Sequence, residues 1–248
     1  MNTKRNLFAA LLTLCAAAAF AQDETPEITK DLKPFNTVIA SPKINVILQK
    51  GDKESVRITY HDVTADKINV QVKNHTLRIY LTDAKVTEKM IPNVHGKIGM
   101  YRYASVTAYV TYKDLEHLEI RGNQEVTCND PLQAQRFVLK AYGENIINLA
   151  SLKTEYLKAS LYGENKLRIK GGIAEYQKYK LFGENKIDTR ELKSFAAVTT
   201  IFGESKVKLT TQDELNINAF GEAEISYNGD AEVNKRFVVG RTLIRKLN

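Results

Sequence analysis

Hydrophobic and polar residues alternate along most of the chain with a period of two. In the segment 178–188, Leu181 and Ile187 lie at odd-numbered positions, whereas Lys180 and Lys186 lie at even-numbered positions, so the two pairs have opposite parity. A two-residue period is the pattern of a β-strand with one buried face, and helical spacing does not fit it. The pattern therefore predicts an all-β protein.

A motif consisting of an aromatic residue, Gly, Glu and a small or polar residue occurs five times, at 142–145, 162–165, 182–185, 202–205 and 220–223. Its glycines follow one another at steps of 20, 20, 20 and 18 residues. A fixed period near this length is typical of a stacked array in which each unit buries its apolar face on the next. We predict a parallel β-helix, or β-solenoid, with about 20 residues per coil.

The positions around each glycine predict which side chains face the core. The residues two before the glycine are all apolar: Ala141, Leu161, Leu181, Ile201 and Ala219. The residues four after it are also apolar: Ile147, Leu167, Ile187, Val207 and Ile225. By the same parity, Asn145, Asn165 and Asn185 are expected to form an inward amide ladder along the axis. The glycines are expected at corners where backbones approach closely and φ is positive.

The period divides the chain into regions. Residues 34–120 alternate but lack the repeat, and we interpret them as a β-rich N-terminal cap region. Residues 121–248 hold the coils and a C-terminal cap, with Gly122 marking a degenerate first coil. Gly and Asp at 51–52 predict a hairpin between two strands, and the Pro- and Gly-containing segment 84–103 predicts a long loop.

The N-terminus predicts export. Residues 1–21 contain a basic start, a short apolar stretch and an Ala-Phe-Ala cleavage site, as a signal peptide does. Residues 22–33 are expected to form a flexible leader. Cys15 leaves lipidation open, although its preceding residues favour cleavage without a lipid. No further apolar run of membrane length follows, so we expect a protein of the periplasm, the outer-membrane surface or the extracellular space, with no transmembrane segment in the mature chain.

Further features support one family. A strand at 35–39, a Gln-Lys-Gly-Asp turn at 49–52 and the repeated Gly-x-Asn coils follow the export signal. This order resembles the bacterial family called putative auto-transporter adhesin, head GIN domain, which is common in Bacteroidota. The resemblance covers about residues 35–245. It implies that the β-helix is right-handed and that the protein is exported.

Composition adds few constraints on function. The chain has 248 residues, of which 26% are charged, and a net charge of +7, or +5 without residues 1–21. This charge is compatible with acidic partners and with simple solubility.

The four histidines, His61, His75, His95 and His117, are scattered. No spacing of metal ligands and no catalytic motif is present, so we expect no metal, no cofactor and no nucleic-acid partner. Without the signal peptide, Cys128 is the remaining cysteine, which we expect to be packed, and no intrachain disulfide can form.

Two outward columns are candidates for binding. Glutamates follow each motif glycine, and Lys166, Lys186 and Lys206 lie two residues after three of them. A solvated salt ladder is the favoured interpretation of these charges, with calcium binding or catalysis as alternatives. The aromatic column consists of Tyr142, Tyr162, Phe182, Phe202 and Phe220. It predicts either ring stacking that fixes the register or a platform for sugar rings or a partner strand.

These features favour a non-enzymatic, adhesin-like protein of the cell envelope. In this hypothesis the aromatic column and Lys166, Lys186 and Lys206 form the ligand-binding face, and the partners are glycans or another envelope protein. Two alternatives stay open. One is a polysaccharide lyase or hydrolase on a β-helix scaffold, which needs an irregular cluster of catalytic groups. The other is a structural envelope scaffold that assembles end to end.

Overall fold

The computed structural model describes residues 25–247 and contains 72% strand and 1% helix. The predicted signal peptide, residues 1–21, and residues 22–24 of the predicted leader lie outside these residues. The rest of that leader, which was expected to be flexible, instead contains the first strand of the structure, at Glu27–Asp31. The strands are β1 (Glu27–Asp31), β2 (Thr37–Ala40), β3 (Ile44–Lys50), β4 (Ser55–His61), β5 (Ile68–Lys73), β6 (Thr76–Leu81), β7 (Met90–Asn93), β8 (Gly96–Gly99), β9 (Ser105–Tyr112), β10 (His117–Gly122), β11 (Glu125–Gln133), β12 (Arg136–Gly143), β13 (Ile146–Gly163), β14 (Lys166–Ile169), β15 (Gly172–Thr189), β16 (Ala196–Thr210), β17 (Glu214–Asn228) and β18 (Glu232–Lys246). A 3₁₀ turn spans Ala65–Lys67.

The chain forms a β-solenoid of about 6 turns, which confirms the predicted fold class. In the regular coils the segment before the motif glycine is the first arm, and the segment after it is the second arm. Gly203 divides β16 into 196–202 and 204–210. β15, β16, β17 and β18 pair in parallel, so each coil lies directly on the one before it.

The core contains the side chains that the alternation in the sequence predicted to face inward. The ten residues at the two apolar positions of the motif are at most 2% exposed. Each residue contacts its counterparts in the coils above and below, about 4.8 Å away along the axis. The favourable free energy of this burial is roughly proportional to the apolar area removed from water. The repeat extends the buried area continuously through the array.

The five motif glycines, Gly143, Gly163, Gly183, Gly203 and Gly221, form the glycine corner between the two arms. Their φ angles lie between 96° and 123°, a region that side-chain-bearing residues rarely adopt. A Cβ at Gly183 would also lie 2.6 Å from the carbonyl oxygen of Gly163. Glycine is therefore required both by the bend and by the close stacking of consecutive backbones.

An amide ladder lies beside the glycine corner, as predicted. Asn145, Asn165 and Asn185 are at most 1% exposed. The Nδ2 of Asn145 donates to Oδ1 of Asn165 at 2.8 Å, and the Nδ2 of Asn165 donates to Oδ1 of Asn185 at 3.1 Å. Ser205 and Ala223 occupy the same position in the next coils. The ladder thus satisfies buried amides that would otherwise be left without partners.

The sheet runs continuously across residue 120. β2 and β6 continue one side of the array in parallel beyond β10, and β3 and β9 continue the other side beyond β11. β5, β4 and β1 then follow in antiparallel orientation. The edge strand β1 carries Glu27 and Asp31, which pair with Arg57 and Lys53. Charged edges of this kind oppose further strand addition. The assignment of 34–120 as a cap stays a prediction.

Two local predictions in this region need correction. The hairpin predicted at 51–52 is wrong, because β9 lies between β3 and β4 and pairs with both. Turn residues in the sequence identify a reversal but do not say which strands become neighbours. The segment 84–103 is not entirely a loop, since β7 and β8 form a two-stranded antiparallel hairpin within it.

The segment after residue 231 has the register of a coil. β18 pairs in parallel with β17, and Gly240 aligns with Gly221. The pairing shifts once, between Ile217 and Asn218, so that Phe237 comes opposite Asn218. This shift explains why the repeat is weaker here in the sequence.

Substitution of Gly183 by Ala is expected to lower the free energy of unfolding by more than about 1 kcal/mol, because φ is positive and the new Cβ meets the Gly163 carbonyl. Gly171→Ala is the matched control, since its Cβ would lie 3.6 Å from the nearest backbone oxygen, that of Ala150, in ordinary contact. Urea unfolding measures both variants. Equal effects would contradict the role of the glycine corner.

Asn165→Ala is expected to destabilise the protein by about 1–3 kcal/mol for each buried amide group left without a partner. The side chain of Asn165 bonds those of both Asn145 and Asn185, so its removal breaks the ladder in the middle. Ser205→Ala is the control at the equivalent position, where the next coil already carries Ala223, and about 1 kcal/mol or less is expected. Thermal melting of the two variants should differ clearly. A fall in melting temperature for Ser205→Ala as large as that for Asn165→Ala would show that the amide ladder does not contribute to stability.

Candidate functional site

The aromatic column forms one continuous stack on the outer face of the first arm. Neighbouring ring centroids are 4.6–5.0 Å apart, with interplanar angles of 5–7°. Phe237 extends the stack at 4.8 Å with an angle of 25°. Tyr162 and Phe202 are 36% and 37% exposed. Because the ring faces are turned toward one another, the column presents ring edges to solvent as a ribbed apolar strip.

A second stack on the first arm was not predicted. Tyr156 and Tyr176 have ring centroids 5.2 Å apart, with an interplanar angle of 7°. The guanidinium of Arg136 lies over Tyr156, 4.7 Å from the ring centroid. Their step of 20 residues was available in the sequence, but two copies outside the Gly-Glu motif gave a weaker signal.

The predicted lysines lie on a different face from the aromatic column. Lys166, Lys186 and Lys206 are exposed and stack on the second arm, across the glycine corner. With Arg168 and Lys208 they border a shallow depression of about 350 Å³. The structure therefore divides the predicted ligand-binding residues between two faces. Their roles in binding stay predictions.

The predicted salt ladder is wrong in its details. Among residues 25–247, none of Glu144, Glu164, Glu184, Glu204 and Glu222 comes within 4.0 Å of the amines of Lys166, Lys186 or Lys206. Lys206 instead pairs with Glu224 at 3.2 Å, its register neighbour in the next coil. The register between coils, rather than proximity in the sequence, therefore determines which pair forms. Such an exposed ion pair contributes little free energy to stability.

A cavity of about 460 Å³ lies at the N-terminal end of the aromatic column. Tyr142 and Arg121 line one side, and Val86 and Glu88 from the segment before β7 line the other. The Arg121 guanidinium lies 5.1 Å from the Tyr142 centroid and pairs with Glu119 at 2.5 Å. Tyr142 is thereby covered on its outer face. Sequence reasoning missed this cavity because its walls come from segments far apart in the chain.

Other reactive groups are built into the core. Cys128 is buried as predicted, at 1% exposure, and its Sγ lies 3.6 Å from the Tyr112 hydroxyl. Burial raises the pKa of the Cys128 thiol, which suppresses the reactive thiolate. Tyr179 is fully buried, and its hydroxyl bonds Gln177 and Thr189. Within the described residues no three His, Cys, Asp or Glu side chains come together as a metal ion requires.

A solenoid with long, regular outer faces is the architecture of proteins that present extended surfaces. The chain belongs to the family described as "Putative auto-transporter adhesin, head GIN domain", whose model matches residues 34–231. The resemblance noted in the sequence is thereby confirmed. No curated protein matches the chain.

Several solved structures share the fold. A "putative adhesin" from Bacteroides fragilis is 18% identical with a TM-score of 0.73, and the match covers 90% of this chain and 97% of that one. A "putative adhesin" from Parabacteroides merdae is 17% identical with a TM-score of 0.64, covering 90% and 96%. A "Putative lipid binding protein" from Parabacteroides distasonis is 15% identical with a TM-score of 0.65, covering 91% and 98%. At these identities the likeness shows the fold alone.

In the part of the chain that the structure describes, no helix has the length and apolar character to span a membrane.

Proposed function

We propose that the protein is an exported, non-enzymatic, adhesin-like protein that binds glycans at a cell surface through the outer face of the first arm. Its family name and the names of its structural neighbours describe adhesins. The observation that carries the proposal is the aromatic column, whose ring edges remain partly exposed over five successive coils.

An exposed apolar strip of this length is unusual for a surface that contacts only water. Ring edges pack against the apolar C–H groups of sugars, and Tyr142 and Tyr162 add hydroxyls that can donate or accept hydrogen bonds. The repeat supplies the same contact in each coil, which suits a ligand that itself repeats. An enzyme requires a local departure from regular columns, so the alternative of a polysaccharide lyase or hydrolase has less support. The hypothesis of an end-to-end scaffold stays open.

The double variant Tyr162→Ala/Phe182→Ala tests this proposal. Removal of two central rings is expected to lower glycan binding by about ten-fold, since aromatic contacts contribute about 0.5–1.5 kcal/mol each beyond burial. A glycan array identifies the ligand with the wild-type protein, and affinity and thermal melting are then measured on the same samples.

Tyr156→Ala/Tyr176→Ala is the matched control for stability, because it removes the other stacked pair of the same coils. Comparable melting of the two variants, with affinity lost in Tyr162→Ala/Phe182→Ala, supports the proposal. A lower melting temperature of Tyr162→Ala/Phe182→Ala, with unchanged affinity of its folded fraction, would mean that the aromatic column only fixes the register.

A further inference from the structure

Five cations share the outer face of the first arm in three successive coils. This group, the basic field, consists of Arg136, Lys140, Lys158, Lys178 and Lys180. Lys158 and Lys178 are direct register partners on adjacent strands, and Lys140 and Lys180 align with Ser160 between them. Neighbouring strands are about 4.8 Å apart, and alternate residues along a strand about 6.6 Å, so these amines form a compact array.

Within the three coils of the basic field, the outward positions of the first arm carry no acidic residue. The connecting corner joins the second arm of one coil to the first arm of the next. Read from that corner to the glycine corner, the outward positions are every second residue: Arg-Val-Lys-Tyr from 136 to 142, Tyr-Lys-Ser-Tyr from 156 to 162 and Tyr-Lys-Lys-Phe from 176 to 182. Glu119 lies at the edge of the face, in register with Lys140, and it is bonded to Arg121. In the described part of the chain, none of the five cations lies within 4.0 Å of a carboxylate.

On the second arm and its corners, by contrast, several cations are paired with carboxylates. Lys206 contacts Glu224 at 3.2 Å, Arg190 contacts Asp188 at 2.8 Å, and Lys246 contacts Asp230 at 2.8 Å. Like charges placed directly opposite each other on a sheet are destabilising. Lys166 and Lys186 on the second arm are also register partners, and among the described residues neither has a carboxylate within 4.0 Å, but Glu164 and Glu184 lie two residues before them on that arm. The basic field differs because its five cations share three coils whose outward first-arm positions carry no acidic residue, so their repulsion opposes folding.

The repulsion is visible in the ionisation of the central lysine. The pKa of Lys158 is lowered, first by partial burial and then by the charges of the four other cations. An anion at this position would favour the charged form and relieve the repulsion. The arrangement of the five cations and the lowered pKa of Lys158 are thus both complementary to an anionic ligand.

Aromatic rings border the basic field on two sides. Tyr156 and Tyr176 lie two residues before Lys158 and Lys178, and Tyr162 and Phe182 lie on the side of the glycine corner. Between these borders the face is an open strand surface that continues along the axis. This open shape suits a long ligand that lies along the coils better than a small anion, which would need an enclosed pocket.

We propose that the basic field binds a linear acidic polysaccharide, whose carboxylate or sulfate groups contact Lys158, Lys178 and Lys180 while its sugar rings pack against the bordering aromatic edges. This inference rests on the proposed function and names its ligand class. Charge-assisted hydrogen bonds from the lysines supply the specificity for the acidic groups, and the aromatic edges add apolar contact.

The test uses polygalacturonate as a carboxylated probe, heparin as a sulfated probe and dextran as a neutral one. The double variant Lys158→Gln/Lys178→Gln is expected to lose affinity for at least one acidic probe by about ten-fold or more, because each charged hydrogen bond is a strong contact. Lys170→Gln/Lys193→Gln is the matched control. It removes the same charge from exposed lysines at the connecting corner, which joins the second arm to the next first arm, and a change below about two-fold is expected for exposed charges distant from the ligand.

Thermal melting separates a binding role from a structural one. Lys158→Gln/Lys178→Gln is expected to melt no lower than the wild type, since it removes repulsion between register partners. A lower melting temperature with unchanged affinity of the folded fraction would overturn the proposal. Equal losses of affinity in the two double variants would also overturn it, because net charge alone would then explain binding.

The remaining outcomes distinguish this inference from the proposed function. Binding of dextran as tightly as the acidic probes would overturn the acidic ligand class but leave a glycan-binding protein. Binding of none of the three probes, with no binding on a glycan array, would end both. Binding of anionic phosphatidylglycerol vesicles without binding of either acidic polysaccharide would assign the basic field to a membrane surface and overturn this proposal.

Discussion

The close stacking of consecutive backbones at the glycine corner is the constraint on which the rest of the structure depends. Each motif glycine lies in register with the glycine of the next coil, from Gly122 to Gly240. Because no side chain fits between them, the corner fixes the spacing and phase of both arms. The core, the amide ladder and the outer columns share this register, so residues at the same position of the repeat stack along the axis.

The repeat made most of the fold predictable, and its absence limited the rest. Parity around the glycines identified Leu181 and Ile187 as core residues and Asn165 as a ladder residue, because a strand has only two faces. The order of β3, β9 and β4 was not predictable, since it depends on long-range pairing that local turn residues do not encode. The parallel continuation of β2 and β3 was missed for the same reason.

The candidate site was predictable only in part. The aromatic column was found because its residues belong to the motif, but its edge-on presentation depends on ring stacking that appears only in three dimensions. The grouping of Lys166 with the aromatic column was a consequence of sequence proximity, whereas the glycine corner turns them onto different faces. Lys158 and Lys178 are not flanked by a motif, and their significance depends on the pairing of β13 with β15 and on the lack of acidic residues around them.

Together these features describe a solenoid that is stabilised by its regular coils and that carries a cluster of five cations on the outer face of the first arm. Protection of lysines from acetylation, measured by mass spectrometry with and without polygalacturonate, tests the central claim that this face contacts a ligand. The account predicts that Lys140, Lys158, Lys178 and Lys180 are protected while Lys166 and Lys186 react as in the free protein. Protection of Lys166 and Lys186 alone, or of no lysine on the first arm under conditions where the polysaccharide is bound, would contradict it.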